Sequence, residues 1–255
     1  MIKKIVLLSI LLTVAITTFA QVNEIYNNAV ENYKQHKFSE ALDLFLQIER
    51  SGNQNADLTY NIGNCYFRLE NLGKAILYFK KSLKIDSTHK TARRNLEYAL
   101  TLTKDVQNNA NFDDAVRSFW HKTFDSFSLN LLAIIMLIIF AFIIFIIIHI
   151  VLFFGGREKN VPIFILIILI VIFIIFVFLF TLKNNAYQSE NEAVIISHTT
   201  IGYSGPSAEF TRVFTIHEGM ICQIEKTENE WSLIKLNNGI GGWILTENLE
   251  KILIK

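Results

Sequence analysis

Two long apolar runs in the second half of the chain constrain its fold more than any other feature. They span residues 131–154 and 161–182, and neither contains Asp, Glu, Lys or Arg. A helix of about 20 such residues crosses roughly 30 Å of hydrocarbon. Only residues 155–160 separate the runs, and so short a link leaves no room for a domain. The pattern predicts a two-helix transmembrane hairpin with both flanking regions on one side of the bilayer. The alternative, two buried core helices, needs more surrounding chain than the remaining segments supply.

The first twenty residues predict the compartment. Lys3 and Lys4 precede an apolar stretch, and small residues up to Ala20 suit a signal peptidase, which makes Gln21 the mature start. We therefore interpret residues 1–20 as a signal peptide and residues 155–160 as a cytoplasmic loop. If the signal stays uncleaved as an anchor, the following region still lies outside the cytoplasm. The predicted location is the inner membrane, with the flanking regions in the periplasm.

Charge and cysteine content exclude several function classes. The net charge is +2 over residues 21–108 and −4 over residues 184–255, and neither value predicts a nucleic-acid partner. Cys65 and Cys222 lie in different regions at apolar positions of the pattern. We expect two small buried residues there rather than a disulfide or a redox pair.

Residues 22–89 are similar to themselves at a spacing of 34 residues. The second copy is the clearer one, and Ala41 and Ala75 are equivalent positions of the two copies. Small residues such as Gly63 and Ala75 suit a contact between antiparallel helices, with Tyr66 and Phe79 on either side. The pattern resembles the tetratricopeptide repeat (TPR). That resemblance implies an all-α domain at residues 21–108, with repeats at 22–55 and 56–89 and a capping helix at 90–104.

A TPR solenoid implies a concave groove that binds a peptide or a partner helix. Most of the side chains predicted to face this groove are aromatic or amide-bearing: Tyr26, Val30, Tyr33, Asp57, Tyr60, Asn61, Asn64, Phe67, Arg94 and Tyr98. Only Asn61 matches the carboxylate clamp of chaperone-binding TPRs, so capture of a C-terminal carboxylate is not expected. The aromatic lining predicts aromatic or apolar anchors on a protein partner. Ordinary packing is the alternative role for many of the same side chains.

Aromatic residues also precede the first apolar run. Phe119, Trp120, Phe124 and Phe127 lie within residues 109–130, and such residues beside a membrane span usually lie at the level of the lipid headgroups. We predict a juxtamembrane interfacial segment there.

The C-terminal region has a strand-like pattern. A linker at residues 183–191 leads into residues 192–255, where tight turns are indicated at Ser204–Ser207 and Asn237–Gly239. The five predicted strands span residues 193–197, 212–216, 220–225, 231–236 and 242–245. Five short strands in so short a segment predict a small all-β barrel.

The C-terminal region resembles the bacterial SH3 domain. The matching residues include Gly205-Pro206-Ser207, His217-Glu218-Gly219, Glu230-Trp231, Gly241-Gly242-Trp243-Ile244 and Leu249. The resemblance implies a module that binds cell-wall peptides or protein segments. The candidate ligand-binding residues are Tyr203, Trp231 and Trp243, and filling of the barrel is the alternative role for both Trp residues.

Catalysis is not expected. Cys222 lies in the middle of a predicted strand rather than at a helix N-terminus, where a thiolate would be favoured. The sequence contains no metal-ligand spacing, phosphate-binding loop or nucleophile elbow. We therefore expect no catalytic residue, no cofactor and no metal.

The order of the segments resembles the BatE family of the Bacteroidetes aerotolerance operon. The predicted fold is a multi-domain membrane protein that combines an all-α TPR solenoid, a two-helix transmembrane hairpin and an all-β bacterial SH3-like barrel. The resemblance implies a periplasm-facing inner-membrane scaffold beside Bat-type membrane proteins with von Willebrand A domains and BatD, in oxygen or stress tolerance. Membrane lipid is a further expected contact. A cell-wall sensor that binds peptidoglycan through the SH3-like module is the alternative.

Overall fold

The chain divides into two compact units. The computed structural model describes residues 21–105, 129–153, 160–187 and 191–253. The first and last of these ranges belong to one unit, and the two middle ranges belong to the other. Three predicted segments lie wholly or mostly outside the described residues: the signal peptide at 1–20, the juxtamembrane segment at 109–130 and the loop at 155–160.

Five helices form the first half of the larger unit. Helix α1 is described at residues 21–34, and it is followed by α2 (Phe38–Arg50), α3 (Ala56–Arg68), α4 (Leu72–Ile85) and α5 (Lys90–Thr101). The side chains of Asn55, Asn71 and His89 cap the N-termini of α3, α4 and α5 by accepting a backbone N–H three residues on. Helix α5 ends three residues before the predicted limit of 104, and just past its end the hydroxyl of Thr103 donates to the carbonyl of Leu100 at 2.8 Å.

The small residues of the repeat lie where two helices touch. Ala41 and Ala75 are fully buried, and a Cβ on Gly63 would lie 2.8 Å from the ring of Phe79. Phe45 and Phe79 are the largest fully buried side chains of this core. The predicted reason for glycine and alanine at these positions is confirmed: larger side chains would force α3 and α4 apart.

The second half of the larger unit is a seven-stranded antiparallel sheet. Its strands are β1 (Glu192–Ile195), β2 (Thr199–Tyr203), β3 (Arg212–His217), β4 (Ile221–Glu228), β5 (Trp231–Leu236), β6 (Gly241–Leu245) and β7 (Leu249–Lys251). The order across the sheet is β3-β2-β6-β5-β4-β1-β7. All five predicted strands are present. Two were missed: β2 is rich in Thr and contains Gly202, and β7 is only three residues long.

The predicted barrel is not closed. The edge strands β3 and β7 are not paired with each other in the described part of the chain, so the sheet is open. One of its faces buries an aliphatic core formed by residues such as Ile195, Ile224, Ile234 and Ile244. Gly239, at φ +85°, turns the chain between β5 and β6 as the hairpin pattern predicted.

Helix α4 packs directly against the sheet. Val194, Ile221 and Ile252 belong to the sheet by sequence, yet they are buried in the same cluster as the TPR core. Gly73 permits the approach, because a Cβ there would lie 2.7 Å from the carbonyl oxygen of Ile195. The helical repeat and this part of the sheet therefore share a hydrophobic core, which is separate from the sheet's own aliphatic core.

Polar contacts surround this shared core. Lys80 and Lys81 of α4 form ion pairs with Glu192 at 2.7 Å and Glu250 at 2.8 Å. Lys84 donates to the carbonyl of Ile252 at 3.0 Å. Further along, the backbone N–H of Gly73 donates to Glu218 at 3.1 Å, and that of His217 donates to Asp105 at 2.6 Å. The contacts extend along α4 and past the end of α5.

The smaller unit consists of two apolar helices, α6 (Leu129–Phe153) and α7 (Asn160–Tyr187). Both are long and apolar enough to cross a membrane by length and composition. Helix α7 continues five residues beyond the predicted limit of Leu182, because Lys183 and the polar residues after it do not interrupt a helix. The two helices contact each other, and the ring centroids of Phe140 and Phe173 lie 6.0 Å apart.

Candidate partner-binding surfaces

Three helices, α1, α3 and α5, lie side by side on one face of the TPR domain. The amide of Asn61 on α3 donates to the hydroxyl of Tyr26 on α1 at 2.8 Å. One repeat later, the amide of Asn95 on α5 donates to the hydroxyl of Tyr60 on α3 at 3.2 Å. The same tyrosine–asparagine hydrogen bond thus recurs between neighbouring helices of the predicted groove and holds these helices together.

Asn95 was missed as a groove residue. Its amide also donates to the side-chain oxygen of Asn64 at 2.9 Å, so it joins α5 to two residues of α3. The signal was present in the sequence, because Asn95 lies one 34-residue period after Asn61.

His89 is a second groove residue that the sequence reasoning missed. Its ring centroid lies 5.0 Å from that of Tyr60, and its Nε2 lies 3.1 Å from a carboxylate oxygen of Asp57. Asp57, a predicted groove residue, therefore has a partner within the TPR domain. His89 also caps α5, so one side chain joins the start of α3 to the start of α5.

The other end of the groove combines rings with a guanidinium group. Tyr33 meets Phe38 edge to face at 5.2 Å, and the guanidinium carbon of Arg68 lies 4.4 Å from the centroid of Phe38. Burial raises the pKa of Tyr33, and nearby Arg68 opposes that shift by favouring the phenolate. The tyrosine hydroxyl and the guanidinium group therefore lie close together at this end.

Phe67 and Tyr98 form an aromatic pair in the groove, in which Phe67 is half-buried and Tyr98 is exposed. Their ring centroids lie 5.8 Å apart, and Tyr98 is 58% exposed. A cleft of about 380 Å³ begins beside Phe67 and is also lined by Arg68, Glu70, Leu72 and Leu102. This cleft and Tyr98 offer apolar surface to a ligand.

The predicted groove residues divide into two groups. Tyr26, Tyr60 and Asn61 are half-buried and bonded between helices, so the packing alternative describes them at least in part. Val30 is likewise half-buried against the TPR core. Arg94 and Tyr98 are exposed on α5. Asp57 at the start of α3 is exposed as well, and these three residues are the accessible part of the predicted site.

The three aromatic residues predicted as an SH3-like site lie together on the sheet. Tyr203 of β2 is paired with Trp243 of β6, and the ring of Tyr203 meets that of Trp231 at 5.6 Å, almost perpendicular to it. Trp243 is also paired with Leu233 of β5. The structure thus brings the three predicted residues into one patch across three adjacent strands.

This patch lies on the face of the sheet opposite its aliphatic core. Along β5 and β6, Ser232, Ile234 and Ile244 are buried, whereas Trp231 and Trp243 are only half-buried. Because alternate side chains of a strand point to opposite faces, the two Trp residues lie outside the main core of the sheet. Barrel filling does not describe their position.

Both cysteines are buried thiols. Neither Cys65 nor Cys222 is part of a disulfide, and burial raises the pKa of each to about 12. Since the thiolate is the reactive form, both stay protonated and unreactive at neutral pH. The expectation of two small buried residues is confirmed.

One comparison with known proteins is informative. The tetratricopeptide repeat family matches residues 56–89, which comprise α3, α4 and the turn that follows. No curated protein shows a significant match to this chain. The chain therefore contains a TPR, which is a protein–protein interaction module.

Proposed function

We propose that this protein is a non-enzymatic, membrane-anchored adaptor that holds a protein partner in its TPR groove. The observation that carries the proposal is the placement of the sheet. It packs on α4, whereas the groove is built from α1, α3 and α5. Within the described ranges, the groove residues Arg94 and Tyr98 are exposed, so their side chains are accessible to a ligand there.

The adaptor spans the inner membrane through α6 and α7 and presents its TPR and its SH3-like sheet to the periplasm. The charged and apolar contacts between α4 and β1 support one compartment for the TPR domain and the sheet. The two could not pack directly against each other with a bilayer between them. The hairpin pattern of the apolar helices and the lysine-led N-terminal segment support the periplasmic side.

The complex that this adaptor serves is proposed from resemblance alone. The order of segments resembles the BatE family, which implies Bat-type von Willebrand A membrane proteins and BatD as partners and oxygen or stress tolerance as the physiological role. The TPR match supports a protein partner in general.

Photo-crosslinking in cells tests the groove. A photo-reactive amino acid replaces Tyr98 in the full-length chain, and a matched variant carries it at Glu40, an exposed residue of α2 outside the groove. The proposal predicts a crosslinked membrane protein from position 98 that is absent at position 40. Equal adducts from both positions, or none from position 98 in a chain that is correctly inserted, would refute it.

A second function, binding of peptidoglycan, is favoured by the patch of Tyr203, Trp231 and Trp243. The three rings are half-buried, and Tyr203 and Trp231 meet edge to face, so ring faces remain for stacking on sugar rings or peptide groups. Co-sedimentation of the full-length protein in detergent with purified peptidoglycan tests it. Trp243→Ala should release the protein into the supernatant, whereas Tyr98→Ala should not. Co-sedimentation that is unaffected by Trp243→Ala and Tyr203→Ala would exclude this role for the patch.

A further inference from the structure

Two of the lysines of α4 are neutralised by carboxylates of the sheet. Lys80 and Lys81 pair with Glu192 and Glu250, which matches the positive TPR domain to the negative C-terminal region. The charges of Lys80 and Lys81 are therefore already paired within the protein. These two lysines are not available to bind a partner.

The cations of the groove have no such partners. Lys34, Arg68 and Arg94 are exposed, and none of them forms an ion pair within the described ranges. Lys34 and Arg68 occupy equivalent positions one repeat apart, at the ends of α1 and α3. Two cations, Lys34 and Arg68, therefore lie at one end of the groove, and a third, Arg94, lies on α5.

Carboxylates also lie near these cations. Glu31 is exposed one helical turn before Lys34 and accepts a hydrogen bond from Gln35. Asp57 lies at the other end of α3 and is bonded to His89. Glu70 lines the cleft beside Arg68, and Glu97 is exposed one helical turn after Arg94. Burial raises the pKa of the Tyr33 phenol beside Arg68, so this hydroxyl is neutral at pH 7 and adds no negative charge at this end.

The cleft beside Arg68 supplies the apolar complement. Phe67, Leu72 and Leu102 contribute its apolar walls, and Leu102 is half exposed, at 50%. Its volume of about 380 Å³ falls within the range of roughly 300–1,000 Å³ that is usual for ligand pockets. A single aromatic or long aliphatic side chain is the group that such a cleft accepts.

We propose that the groove binds an acidic segment of a protein partner, with one aromatic or long aliphatic side chain in the cleft and carboxylates on Arg68, Lys34 and Arg94. This inference rests on the proposed function and adds the chemistry of the ligand. The guanidinium group of Arg68 is held over Phe38, so its fork is oriented before a carboxylate binds. Charge-assisted bonds of this kind are about twice as strong as neutral ones.

Fluorescence anisotropy with a peptide panel tests this proposal on the full-length protein in detergent. Four labelled synthetic peptides of equal length are compared: Glu-rich with one Trp, Glu-rich with Ala in its place, Lys-rich with one Trp, and Ser-rich with one Trp. The Glu-rich Trp peptide should bind most tightly, and its binding should weaken at high ionic strength. Arg68→Gln should weaken it about tenfold, the loss expected for one charge-assisted hydrogen bond.

Arg50→Gln is the matched control, because Arg50 is exposed on α2 at the other end of the repeat. It should leave the affinity unchanged, and Leu102→Ser should weaken only the peptides that contain Trp. Equal or tighter binding of the Lys-rich peptide, absence of binding by the Glu-rich Trp peptide, or equal effects of Arg68→Gln and Arg50→Gln would overturn the proposed chemistry. A crosslink from position 98 in cells would survive each of these results, so the two proposals fail separately.

Discussion

Replacement of Ile252 by Ala would break the core that the TPR domain shares with the sheet. Ile252 follows β7 near the C-terminus, is 1% exposed and is buried in the TPR cluster rather than in the core of the sheet. Its N–H donates to the carbonyl of Glu192, and its own carbonyl accepts from Lys84. The substitution removes side-chain carbons from this contact and leaves both backbone bonds in place.

The apolar part of the contact dominates its energy. Ile→Ala in a well-packed core costs about 2–5 kcal/mol, whereas the partly exposed ion pairs of Lys80 and Lys81 contribute roughly 0–1 kcal/mol each. For a unit of this size each kcal/mol corresponds to about 2–4 °C in Tm. We expect Ile252→Ala to lower the Tm by roughly 4–20 °C, and we expect removal of either ion pair to do much less.

Hydrogen exchange followed by mass spectrometry on the full-length protein in detergent resolves the effect by region. Because the core is shared, Ile252→Ala should reduce amide protection in α3 and α4 as well as in β1, β4 and β7. Leu253→Ala is the matched control, since Leu253 is 38% exposed and should change little. The reasoning is wrong if α3 and α4 keep their protection in Ile252→Ala while the sheet loses its own.

Three further predictions follow from the packing and the thiols. Gly63→Ala should lower the free energy of unfolding by about 1–3 kcal/mol despite the better helix propensity of Ala, because the new Cβ lies against the ring of Phe79; urea unfolding measures it. Cys65 and Cys222 should not react with iodoacetamide at neutral pH unless the chain is unfolded, and fast alkylation of the native protein would contradict their burial. Burial raises both pKa values to about 12, so the folded state retains protons that an unfolded thiol releases above about pH 8.5. The stability that they contribute is therefore complete below about pH 8.5 and is lost as the pH rises towards 12. Urea unfolding at neutral pH and at about pH 10 checks this, with a Cys→Ala double variant showing a smaller decrease.

The repeating parts of the fold could be predicted from the sequence. The 34-residue period located the helices of the repeat, and the small residues at Gly63 and Ala75 identified where α3 and α4 touch. Long apolar runs without charge located α6 and α7. In each case the signal is local and periodic, so a few neighbouring residues carry it.

The contact between α4 and the sheet could not be predicted in this way. Lys80 and Lys81 match an ordinary solvent-exposed face, and Ile252 matches any strand residue, until the fold brings them together across more than 100 residues. Strands β2 and β7 were missed for a related reason, because their own patterns are weak and their pairing with β6 and β1 joins residues far apart in the sequence. The groove was predicted better in its aromatic residues than in Asn95 and His89, which act through partners on other helices.

Cysteine accessibility in spheroplasts tests most directly the claim that the TPR groove and the sheet lie together on the outer face of the membrane. Tyr98→Cys, Glu247→Cys and Lys159→Cys are each introduced into the full-length chain and treated with a membrane-impermeant maleimide before and after permeabilisation. The buried native thiols give little background. We predict labelling at positions 98 and 247 before permeabilisation and at position 159 only after it. Labelling of either position 98 or position 247 only after permeabilisation, with the other labelled before it, would contradict the account.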